Sequence, residues 1–197
     1  MNRNLIIRLS VVSLLFFIDG LAQRTLATDV SGIISSDTTW DLAGSPYVVT
    51  GTVLVEDDKT LTVEAGVEVR FNSGKSLQVF GELVAKGTSG SSITFTSVQE
   101  SKAAGDWGQI VFYDSSEDAV FDENGDYASG SILEYCTVEY GGGIQLNLAN
   151  PFINQGTIRY HSGRGIGTDN YNSSNNSATL KITNNTISNN AGGVHLY

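Results

Sequence analysis

Leu61-Thr62-Val63-Glu64-Ala65-Gly66-Val67 stands directly above Leu77-Gln78-Val79-Phe80-Gly81-Glu82-Leu83 when the chain is written in rows of sixteen. Ile93 and Phe95 continue the columns headed by Leu61 and Val63. Each segment alternates apolar and polar residues, the period of a strand with one buried face. Strands this short cannot bury that face alone. Stacking one coil on the next gives each strand a partner and the rod a continuous core. Sixteen residues is therefore the coil length expected in this part of the chain.

Working outward, the same logic holds downstream with longer coils. Leu133 to Val138, Ile153 to Ile158 and Ile182 to Ile187 share an aliphatic residue, three residues, Thr and a β-branched aliphatic. Each then reaches a Gly-aliphatic pair: Gly143-Ile144, Gly165-Ile166 and Gly193-Val194. The first two units are twenty residues apart and the next two twenty-nine. The surplus falls in Asp169 to Thr179, a polar Asn/Ser stretch expected to loop out. A second loop, rich in Asp and Glu, is expected from Tyr113 to Ser129. Fixed strand patterns with variable coil length exclude a β-sandwich, and the absence of helical patterns excludes a doubly wound α/β fold.

The segment Lys181 to Val194 closely resembles the repeat of right-handed parallel β-helix proteins. Tyr47 to Phe71, followed by Gly105-Asp-Trp-Gly-Gln-Ile110, resembles the opening of large bacterial surface proteins of that kind. The resemblance covers roughly Val30 to Tyr197 and implies an all-β, right-handed parallel β-helix (solenoid). It says little about activity, because the family includes lyases, hydrolases, adhesins and plain scaffolds. Seven or eight coils at about 4.8 Å each give a rod roughly 35 Å long.

Parallel stacking repeats each position as a column. Thr137, Thr157 and Thr186 form one; Cys136, Gly156 and Asn185 form the next, at a turn expected to need the left-handed conformation. Glu139 falls beside Arg159, an outward ion pair worth under about 1 kcal/mol if exposed, and Tyr140 beside Tyr160. Cys136, the single cysteine, reads as a small buried apolar residue and allows no intramolecular disulfide.

Arg3 and Arg8, the apolar run Val11 to Ile18 and the small residues that follow give residues 1–27 the plan of a secretory signal peptide, cut after Ala22 or Ala27. The apolar run is short for a membrane anchor, and Asp19 interrupts it. Residues 28–46, with Trp40 and Leu42, are expected to cap the rod before the coils of 47–197. The chain stops within a repeat at Leu196-Tyr197, so the C-terminal end reads as truncated. Lys and Arg number 11 against 21 Asp and Glu, a net charge of -10. Such a surface argues against nucleic acid as a partner.

For chemistry the sequence offers little. Asp57-Asp58 is the only match to the short signatures of pectin-hydrolysing β-helix enzymes, and His161-Ser-Gly163 only echoes their histidine motif. Asp122, Asn124 and Asp126 place oxygen ligands at alternate positions, as in the first half of a calcium loop, but Tyr127 stands where that loop needs Gly. A solvated acidic turn is the alternative. His161 and His195 read as ordinary surface histidines. Tyr135, Tyr140 and Tyr160 offer flat faces that could stack on sugar rings of a polysaccharide or cell-surface glycan, or simply shield the sheet. The expectation is a secreted or cell-surface, non-catalytic scaffold without a cofactor (Ca2+ being the one ion considered), the N-terminal part of a larger protein. The alternatives are a carbohydrate-binding module and the first segment of a polysaccharide lyase or hydrolase.

Overall fold

A computed structural model describes residues 27–169 and 180–196. The expected signal peptide therefore lies outside the described residues up to position 26, as does most of the loop expected from Asp169 to Thr179. The coils follow in order. Coil one is β1 (Thr28–Ile34) and β2 (Thr38–Trp40); coil two is β3 (Tyr47–Val55) and β4 (Thr60–Val63). Coil three is β5 (Glu68–Phe71), β6 (Leu77–Val79) and β7 (Glu82–Lys86). Coil four holds β8 (Ile93–Ser97) and β9 (Gln109–Phe112), a side hairpin of β10 (Val120–Phe121) and β11 (Tyr127–Ser129), then β12 (Ile132–Glu134). Coil five is β13 (Cys136–Glu139), β14 (Gly143–Asn147) and β15 (Phe152–Asn154). Coil six is β16 (Thr157–Arg159), β17 (Arg164–Asp169) and β18 (Ile182–Thr183), and β19 (Thr186–Ser188) with β20 (Gly192–His195) begins a seventh.

All pairings between coils are parallel, and the rod has three faces. The first stacks β5, β8, β13, β16 and β19; the second stacks β6, β9, β14, β17 and β20; the third stacks β2, β4, β7, β12, β15 and β18. The long β3 runs round the corner between the first two faces. Its Tyr47–Val49 end pairs with β5 and its Val53–Val55 end with β6, which fuses both faces into one twelve-stranded sheet. Residues 28–46 build the first coil: β1 pairs along β3, β2 pairs with β4, and Trp40 stacks on Tyr47 at 5.1 Å.

The inward residues were legible; the upstream coil length was not. Leu61, Val63, Leu77, Val79, Ile93 and Phe95 are all buried at 0–1% exposure. They do not stack on one another. Leu61 stacks on Leu83, Leu77 on Ile110, and Ile93 on Cys136. The sixteen-residue interval thus links strands on different faces, and the true advance from Leu61 is 22 residues. The cause is physical: every face needs the same Leu-x-Val alternation, so the pattern recurs three times per coil and the eye joins the wrong pairs.

Downstream the register is as expected. Leu133, Ile153 and Ile182 stack, as do Val138, Ile158 and Ile187, and Ile144, Ile166 and Val194. Thr137, Thr157 and Thr186 form their column, extended by Thr94. The turn column needs a shift of one. The left-handed residues are Tyr135, Gln155 and Asn184, with φ of 48°, 55° and 56°. Cys136 follows as an ordinary inward strand residue at 3% exposure, which removes the misfit it posed as a turn residue. Side-chain amides do link coils there: Asn184 Nδ2 donates to Asn154 Oδ1 (3.1 Å), and Asn154 Nδ2 to Glu134 Oε1 (2.9 Å).

Candidate functional site

The corner between faces one and two carries the expected tyrosine pair. Tyr140 and Tyr160 directly follow β13 and β16, and their rings stack at 5.2 Å and 13°. Both sit at positive φ, 64° and 58°; the equivalent residue one coil on is Asn189, φ 56°. Asn tolerates this conformation, whereas a bulky side chain there is uncommon. Tyr135 is not part of the platform. It occupies the turn at the other end of β13, four strand residues away.

Beneath the stack, Arg159 donates to Glu139 Oε2 through Nε at 2.9 Å, with its guanidinium 5.4 Å from the Tyr160 ring centroid. Glu139 differs from the exposed residue expected: it is only 8% exposed and also accepts from Thr96 Oγ1 at 3.0 Å. His161 corrects the sequence reading outright. It is 1% exposed, its Nδ1 accepts the Gly141 N–H at 3.1 Å, and Nε2 lies 3.0 Å from the Val138 carbonyl. These partners assign the proton to Nε2. Burial holds its pKa below the ordinary histidine value. Trp107, stacked on Phe71 at 4.1 Å and edge-on to His161, donates to the Glu139 carbonyl at 2.9 Å. His195 pairs with Gly167 on the second face. Next to this corner a groove of about 250 Å3 runs over Gln109, Gly142, Gln145 and Arg164.

At the corner between faces two and three, the loop expected from Tyr113 to Ser129 contains the antiparallel β10–β11 hairpin, folded onto face three. Lys181 Nζ lies 3.4 Å from the Phe121 ring centroid, and Phe121 meets Phe152 edge-on at 5.1 Å. Asp122 Oδ1 accepts the amides of Asn124 and Asp126, each at 2.9 Å. Those bonds, chiefly the one from Asp126, hold its pKa below the usual carboxylate range. Asp122, Asn124 and Asp126 thus form a self-bonded hairpin turn, and among the described residues no group of three His, Cys, Asp or Glu side chains converges as a metal site would require.

The hairpin walls a cleft of about 330 Å3 whose lining includes Asp58, Lys59, Glu82, Glu117 and Asp118. Glu82 accepts from Thr60 Oγ1 (2.7 Å) and the Gly130 amide (3.1 Å); Asp118 accepts from the Asn150 amide (2.7 Å) and Nδ2 (3.0 Å). The Cys136 thiol is fully enclosed, and burial pushes its pKa well up, the opposite of a nucleophilic thiol.

The sequence reading missed a second aromatic pair. Phe80 and Tyr113 stack at 4.1 Å and 8° on this corner. Each follows the last inward residue of a paired strand, Val79 and Phe112. That signal was present, but it needs the correct coil length to be seen.

Parallel strands, three faces and an inward aliphatic core define a parallel β-helix. The family model described as "Pectate-lyase like beta helix domain" matches residues 32–161, about two thirds of the chain, and the chain belongs to that family. No curated protein and no solved structure matches it.

Proposed function

We propose that this chain is a secreted or cell-surface β-helix module that acts as a non-catalytic scaffold, the N-terminal part of a larger protein. The observation that carries this reading is that, among the described residues, several side chains suited to chemistry are spent on the fold. His161 has both ring nitrogens engaged, Glu139 is held by Arg159 and Thr96, Glu82 and Asp118 each take two donors, and Cys136 is enclosed. Purified protein incubated with pectins, alginate and xylan should release neither reducing ends nor unsaturated uronates. Release that vanishes on Asp118→Asn would overturn the scaffold reading in favour of a lyase or hydrolase. Sequencing the N-terminus of the mature protein tests secretion: Gln23 or Thr28 is expected, and an intact Met1 would contradict it.

The Tyr140–Tyr160 stack favours a second reading, recognition of a polysaccharide or cell-surface glycan. Two aromatic side chains are held in an unfavourable backbone conformation on an outward corner, beside a groove lined by amide side chains and Arg164. Strain kept at a surface position is a reason to suspect a function there. The double variant Tyr140→Asn, Tyr160→Asn places in both sites the residue that position 189 already uses. Glycan-array binding that disappears in this variant supports the reading; binding that is unchanged sinks it.

A further inference from the structure

The Phe80–Tyr113 corner carries more than a stack. A shallow groove of about 210 Å3 is lined by Leu54, Glu56, Asp57 and Phe80. It touches Phe80 and not Tyr113, and Leu54 and Glu56 belong to the coil before Phe80. The groove therefore lies on the face of the Phe80 ring turned away from Tyr113. Ser115 Oγ sits 2.8 Å from Asp57 Oδ1 and 3.0 Å from the Phe80 carbonyl, which anchors the carboxylate at the rim. At the very next residue, Asp58, the acidic cleft begins, where four carboxylates face one lysine.

We propose that this groove seats an arginine side chain of a basic segment on a partner protein. The floor of Leu54 and Phe80 suits an aliphatic stem. A guanidinium stacks on an aromatic face and is attracted to it. The rim carboxylates of Glu56 and Asp57 are acceptors only, and a guanidinium is a donor only, with five N–H groups. A neutral sugar hydroxyl can also donate to these carboxylates, but it brings no positive charge to match theirs. The neighbouring acidic cleft extends the same field and steers a segment carrying a second positive charge along the corner.

The test is calorimetric titration of the whole chain at low salt with the peptide acetyl-Gly-Arg-Gly-Arg-Gly-amide. Saturable binding is expected, weakened about two- to fivefold by Phe80→Ala and by Asp57→Asn. The charge control Glu100→Gln plus Glu123→Gln, outside the groove, should bind nearly as the native chain does. Equal weakening by that control would reduce the effect to net charge and overturn the proposal. So would unchanged binding by Phe80→Ala, or a glucosamine tetramer binding more tightly than the peptide in a Phe80-dependent way. Melting curves establish that each variant is folded; should Phe80→Ala fail to fold, Phe80→Leu and Asp57→Asn decide the matter.

Discussion

At the scale of single residues, His161 makes the sharpest prediction. Its folded pKa lies below the unfolded value of about 6.5, so the unfolded chain binds more protons just below that pH. Stability is therefore complete above pH 6.5 and falls as the pH drops towards the folded value, by at most about 1.4 kcal/mol per pH unit. The melting temperature should decline more between pH 7 and pH 5 in the native chain than in His161→Gln; parallel declines would refute this. Arg159 acts on the other side of the same corner. Its removal leaves Glu139, at 8% exposure, with Thr96 as its remaining side-chain partner. Arg159→Ala should cost about 1–2 kcal/mol in urea unfolding, more than an exposed pair would.

At the scale of elements, the corner between faces one and two depends on close approach. A Cβ placed on Gly141 would lie 2.5 Å from Cε2 of Trp107, the ring that stacks on Phe71. Gly141→Ala should therefore destabilise by about 1–3 kcal/mol, and a melting temperature equal to the native one would show that the corner yields freely. The same corner shows what a sequence can disclose. Strand faces, the threonine column, the Glu139–Arg159 pair and the Tyr140–Tyr160 stack could all be read, because local alternation and a strict downstream interval fix them. The burial of His161 could not, since it depends on Trp107, which arrives from two coils earlier at no regular spacing. Nor could the Phe80–Tyr113 pair: 33 residues separate its members, and the upstream repeat suggested sixteen.

At the scale of the whole molecule, the rod is a stack in which each coil rests on its neighbours, so the cost of a buried charge depends on height. Val79 is 0% exposed in the interior, whereas Ile182 is only partly buried in a late coil. Val79→Asp should abolish cooperative unfolding, seen as loss of the circular dichroism transition. Ile182→Asp should lower the melting temperature and leave the preceding coils folded. Height also governs where the chain changes length. Faces three and one are joined in coils five to seven by one or two residues, of which one is left-handed each time: Tyr135, Gln155 or Asn184. The corner from face two to face three, by contrast, holds two residues between β6 and β7 and nineteen between β9 and β12. The connection from β17 to β18 leaves from that corner too. Length varies widely in one seam and little in the later coils of another, which makes the rod a natural chassis for grafting: a foreign epitope spliced into the turn at Asp122–Asp126 would be carried outward while every rung of the three ladders stays in place.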